Sequence, residues 1–70
     1  MNKLDLHGVK HRDAANKVDT FIRRNIINMP VEIITGNSID MQNIVRKVVT
    51  SYNLDIQPKS FVNLGSYIIK

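Results

Sequence analysis

The chain has 70 residues and no cysteine, so its core must come from apolar packing without a disulfide or a cysteine-ligated zinc ion. Ten lysine and arginine residues against six aspartate and glutamate residues give a formal net charge of +4, which favours polyanionic partners, nucleic acid first. No apolar run approaches the roughly 18 residues of a membrane span, and the polar N-terminus does not resemble a signal peptide. We therefore expect one cytoplasmic domain over residues 1–70, with no membrane partner.

The first predicted strand is the segment Leu4-Asp5-Leu6-His7-Gly8. Because side chains alternate along a strand, Leu4 and Leu6 should lie on one face, with Asp5 and His7 on the other. The carboxylate can then reach the imidazole or share a ligand with it. Gly8 ends the strand and permits close approach to the backbone. A solvated polar sheet face is the alternative explanation of the Asp5 and His7 pair.

Two amphipathic helices and a short strand between them follow. Apolar residues at steps of three and four predict a first helix that ends near Asn28, before Pro30. Val31 to Thr35 is typical of a buried strand. Gly36-Asn37-Ser38 predicts a turn, after which Ser38 or Asp40 caps a second helix. The two apolar stripes are Ala14, Ala15, Val18, Phe21, Ile22 and Ile26, then Met41, Ile44, Val45, Val48, Val49 and Tyr52.

The last third of the chain predicts a hairpin. Asp55 to Val62 is an extended segment in which Pro58 indicates an edge strand. Asn63-Leu64-Gly65 forms the turn, and Ser66 to Lys70 forms a more buried strand. The result is a two-layer βαβαββ fold of class α/β. Its four-stranded mixed sheet should have the strand order 1-2-4-3, with right-handed crossovers.

This topology brings two loops together at one edge of the sheet. The ends of strands 1 and 2 and the starts of both helices meet there, and helix N-termini suit phosphate. Lys10 and Arg12 flank the first helix. The Asn63-Leu64-Gly65 turn should lie at the same edge. We therefore regard the following residues of these loops and of the start of the first helix as candidate nucleic-acid contacts: Gly8, Lys10, Arg12, Thr35, Gly36, Asn37, Ser38 and Asn63.

The motif Leu4-Asp5-Leu6-His7-Gly8 at the start of a βαβαββ domain resembles the Smr domain, the small MutS-related module. A second family motif, Thr or His followed by Gly, any residue and Gly, is matched by Thr35-Gly36-Asn37, with Ser38 at the second glycine. The resemblance covers essentially the whole chain and indicates a stand-alone short member. It implies a fold similar to the C-terminal domain of a bacterial translation initiation factor. It also implies DNA nicking or RNA cleavage with Asp5 and His7 as catalytic residues.

We therefore expect an endonuclease with little sequence specificity, in which His7 is a general base or acid. Asp5 would orient His7 or hold a divalent cation such as Mg²⁺, and no other metal ligand is predicted. The alternative is a module that binds nucleic acid or a protein without chemistry. A small phosphoester hydrolase ranks third because the predicted edge is shallow. The small core makes a homodimer, or attachment to a larger host protein, reasonable.

Overall fold

The computed structural model describes residues 1–62 and 64–70, so Asn63 lies outside the described residues. The fold is α/β, with four strands in one mixed sheet and two helices, as the sequence predicts. In chain order the elements are β1 (Lys3–Asp5), α1 (His11–Asn25), β2 (Val31–Ile34), α2 (Ile39–Ser51), β3 (Ile56–Pro58) and β4 (Ser66–Ile69).

The strand order β1-β2-β4-β3 confirms the predicted topology. β1 pairs with β2 in parallel, with Asp5 opposite Ile34, whereas β4 is antiparallel to both β2 and β3. Pro58 lies in the edge strand β3, where its missing N–H removes no hydrogen bond from a central strand. The carboxyl ends of β1 and β2 and the start of β4 therefore lie side by side, at the edge of the sheet where these strands end or begin.

The core lies between the sheet and the two helices. Val31 and Ile33 of β2 are completely buried, while Glu32 and Ile34 belong to the opposite face of the sheet. The other buried apolar residues come from β4, from the residue that follows β1 and from one stripe of each helix: Leu6, Ala14, Val18, Ile22, Met41, Val45, Val49, Tyr67 and Ile69. Burial of these stripes holds so small a chain together without covalent links.

Some predicted boundaries were too long. β1 ends at Asp5, so Leu6 and His7 lie just beyond it, and β3 covers only three residues of the predicted segment. α1 ends at Asn25, three residues early, because the Asn25 side chain bonds to the Phe21 carbonyl and the Asn28 N–H bonds to the Asn25 carbonyl in a turn. Ala15 and Ile26, assigned to the apolar stripe of this helix, are exposed.

Both ends of α2 have caps of the kind that the sequence favours. The Ser38 hydroxyl oxygen accepts a hydrogen bond from the Met41 N–H at 3.1 Å, and Asn53 adopts a left-handed conformation with φ of 58° after α2. Within the described part of the chain, neither helix combines the length and the hydropathy needed to cross a bilayer.

Candidate functional site

Asp5 and His7 form a hydrogen-bonded pair at the carboxyl end of β1. The Asp5 Oδ1 atom lies 2.7 Å from His7 Nδ1 and accepts a second bond, of 2.9 Å, from the His7 backbone N–H. These two bonds, the backbone one first, lower the pKa of the Asp5 carboxyl below its ordinary value. Since an ionised carboxylate only accepts, Nδ1 carries the proton, and Nε2 of the neutral ring remains unprotonated.

The chain turns sharply at this pair. The Leu6 N–H continues the ladder to the Ile34 carbonyl at 2.9 Å, and the Val9 N–H closes a turn onto the Leu6 carbonyl at 3.1 Å. Gly8 supplies the positive φ of 77° that this turn needs. Leu6 is buried while the Asp5 and His7 side chains are 59% and 66% exposed, so the core fixes the backbone and the pair faces solvent.

The imidazole of His7 packs against Gly36. A Cβ atom at Gly36 would lie 2.9 Å from His7 Nε2, closer than carbon atoms of this kind are found, and Gly36 has a positive φ of 67°. Gly65 in turn packs on Gly36, because a Cβ there would lie 3.0 Å from the Gly36 carbonyl carbon and oxygen. We call these two residues the glycine corner. The two loops therefore meet as expected. They can approach so closely because Gly36 and Gly65 have no side chain.

Several hydrogen bonds hold the glycine corner in place. The Gly65 carbonyl accepts from the N–H groups of Thr35 and Gly36, at 2.8 and 3.0 Å. The Thr35 hydroxyl donates to the Gly36 carbonyl at 2.8 Å, and the Gln42 amide donates to the Gly36 and Leu64 carbonyls at 3.3 and 3.2 Å. Thr35 is buried, so it supports the site from inside. The Gly36 N–H already has a partner in the fold.

Asn37 and Ser38 provide the remaining donors on this loop. Their backbone N–H groups make no hydrogen bond to a described residue, and the Asn37 side chain is exposed. The Ser38 oxygen caps α2, which gives this serine a structural reason to stand where the resembled motif has glycine. Together with the start of α2, these groups make a small region of positive potential beside Gly36.

The basic residues lie beside the first loop. Lys10 is the N-cap of α1 without a side-chain cap, and Arg12 is exposed in its first turn. Neither forms an ion pair with a described residue. Gly8 is exposed as well, and a Cβ there would meet nothing within 4 Å. The prediction for Asn63 lies outside the described residues.

A buried carboxylate on the same sheet face was not predicted. Glu32 is 4% exposed and accepts a hydrogen bond from the Ser66 hydroxyl, while Lys59 Nζ lies 3.2 Å from its Oε1. The Ser66 bond, and after it Lys59, lowers the pKa of Glu32 despite the opposing effect of burial. The available signal was a charged residue inside the β-rich run Val31 to Thr35. Its partners are distant in sequence, so no local pattern identified them.

Asp5 is the predicted metal ligand of this site. Within residues 1–62 and 64–70, no group of three or more His, Cys, Asp or Glu side chains is arranged to hold one. The Oδ1 atom of Asp5 is occupied by His7, and Oδ2 makes no hydrogen bond to a described residue. A carboxylate oxygen of this kind fits the way Mg²⁺ binds, with one or two protein carboxylates plus water and substrate phosphate.

Comparisons of the chain with protein-family models, with curated proteins and with solved structures found no match.

Proposed function

We propose that this chain is an Smr-type endonuclease that hydrolyses phosphodiester bonds of DNA or RNA. The observation that carries the proposal is the Asp5–His7 pair, which lies exposed beside the glycine corner at a sheet edge. A carboxylate that orients an imidazole is a recurring arrangement for moving a proton during attack on an ester.

His7 is the proposed proton acceptor. Its Nε2 atom takes a proton from a water molecule, or from a ribose 2′-hydroxyl in RNA, as the oxygen attacks phosphorus. Asp5 holds the ring through Nδ1 and stabilises the positive charge that the ring gains. The proton that His7 has accepted then passes to solvent or to the leaving oxygen. Attack by water hydrolyses the ester directly, whereas attack by a 2′-hydroxyl leaves a 2′,3′-cyclic phosphate.

The backbone of the nucleic acid would be held by charge and by N–H groups. Lys10 and Arg12, at the start of α1, would supply the charge, and the N–H groups of Asn37 and Ser38, which bond to no described residue, would supply the donors. Such contacts recognise phosphate and no base, so binding should be strongly salt-dependent and nearly independent of sequence. A Mg²⁺ ion on Asp5 Oδ2 would add neutralisation of phosphate charge.

One observation favours a second candidate, a nucleic-acid-binding module without catalysis. The side chains of Asp5 and His7 are both more than half exposed, so the pair faces an open surface. An open surface can bind the backbone of a nucleic acid but does not enclose a small phosphoester. Such a surface is equally compatible with binding alone and with cleavage.

Cleavage of supercoiled plasmid and of a structured RNA, each with Mg²⁺ or EDTA, distinguishes the two candidates. We expect one substrate to be cleaved by the wild-type chain and spared by Asp5→Asn and His7→Ala, with binding of that substrate largely retained. The EDTA arm decides whether a metal ion is used. Salt-sensitive binding of both substrates without cleavage would favour the binding module and contradict the nuclease.

A further inference from the structure

The free edge of β1 adjoins a cavity that suits one side chain of an added strand. β1 is at the end of the sheet, and β2 is its sole neighbour among the described strands. The Asn2 carbonyl and the Leu6 N–H bond to β2, so by alternation the backbone groups of Lys3 and Asp5 point away from the sheet. Two N–H and two C=O groups are therefore directed outward for pairing.

The cavity lies between this edge and α1. It measures about 360 Å³, and its lining is mainly apolar at Leu4 and Phe21, with Asn16 and Thr20 beside them. Two cations, Lys17 and Arg24, complete the lining, and neither makes an ion pair with a described residue. A residue paired opposite Leu4 would place its side chain on the helix side of the sheet, at this cavity.

We propose that this edge binds an extended peptide by strand addition, with an apolar side chain in the cavity and acidic residues two positions before and after it. Lys17 and Arg24 are seven residues apart, about 10 Å along a helix axis. Residues i−2 and i+2 of an extended peptide are about 13 Å apart on one face, within reach of two flexible cationic side chains. Main-chain bonds provide affinity in this binding mode, and the pocket and its charges provide selectivity.

A second copy of the chain fits this edge less well. Antiparallel pairing of β1 with its symmetry mate would bring α1 against α1, with Lys17 of one copy facing Arg24 of the other. Two like-charged contacts in one small interface oppose such a dimer. The carboxylates of an acidic peptide are instead attracted by Lys17 and Arg24. We therefore favour an acidic peptide as the occupant of this edge.

The test is titration of the ¹⁵N-labelled chain with the capped peptide Gly-Asp-Thr-Leu-Thr-Asp-Gly, followed by NMR. The amide resonances of Lys3 and Asp5 and those along Lys17 to Arg24 should shift. Three control peptides should bind at least about tenfold more weakly: lysine in place of both aspartates, asparagine in place of leucine, and N-methylation of the residues that pair with β1.

Protein variants distinguish binding at this cavity from a general effect of net charge. The double variant Lys17→Glu, Arg24→Glu should weaken binding about tenfold, since two attractive pairs become repulsive. The matched variant Arg46→Glu, Lys47→Glu on α2 carries the same charge change and should leave binding within about twofold. Thr20→Trp, which fills the cavity, should abolish binding.

Three results would overturn the proposal: unchanged Lys3 and Asp5 resonances at millimolar peptide, equal binding of the lysine peptide, or concentration-dependent self-association that occupies these amides and excludes the peptide. None of them depends on nuclease activity.

Discussion

At the scale of single residues, the site depends most on where the chain has glycine. Gly8 and Gly36 both have positive φ, but only at Gly36 would a Cβ atom meet another residue, the His7 ring. Gly36→Ala and Gly8→Ala should therefore each cost about 1 to 2 kcal/mol of folding free energy, from backbone strain. Gly36→Ala should in addition displace the imidazole, which chemical shifts of the His7 ring protons would report. Unmoved ring resonances in Gly36→Ala would contradict the packing described.

Glu32 should make the stability of the chain pH-dependent in a defined direction. Its pKa is lowered in the fold by Ser66 and Lys59, so its contribution is present above its ordinary pKa of 4.5 and is lost as the pH falls below that value. Glu32→Gln keeps the shape and removes this titration. At neutral pH the variant should be about 1 kcal/mol less stable than wild type, because charge-assisted hydrogen bonds become neutral ones. In urea unfolding that difference should shrink at pH 3. A difference independent of pH would show that Glu32 is not the titrating group.

At the scale of elements, Ser38 links the phosphate-binding proposal to the stability of α2. Its hydroxyl oxygen accepts from the Met41 N–H, so Ser38→Ala should cost about 1 kcal/mol and Ser38→Gly a few tenths. Ser51→Ala is the matched control at the other end of α2, where the Ser51 hydroxyl bonds to the Val48 carbonyl and is exposed. It should change stability by less than about 0.5 kcal/mol. Equal losses at both ends would contradict the N-cap.

At the scale of the whole molecule, the sequence predicted the architecture well because its strongest signals are periodic. The stripes of α1 and α2, Pro58 at an edge and the crossover rule were enough to give the strand order. The topology also placed the turn that contains Gly65 at the same edge as Gly36. The close packing of Gly65 on Gly36 and the bonds of Thr35 and Gln42 were out of reach, because they join residues distant in sequence and depend on detailed geometry. The same holds for the cluster around Glu32. The end of α1 was predicted too late, since Asn25 forms local bonds that periodicity does not encode.

His7 is the proposed catalytic residue, and the second histidine of the chain serves as its control. His7 and His11 are the two histidines, and both are exposed. Among the residues that the structure describes, only His7 bonds to a carboxylate. The measurement is the rate of nucleic-acid cleavage by wild type, His7→Ala and His11→Ala at equal fractions of bound substrate. We predict that His7→Ala abolishes cleavage and that His11→Ala cleaves at the wild-type rate. Equal cleavage by His7→Ala and wild type would contradict the account.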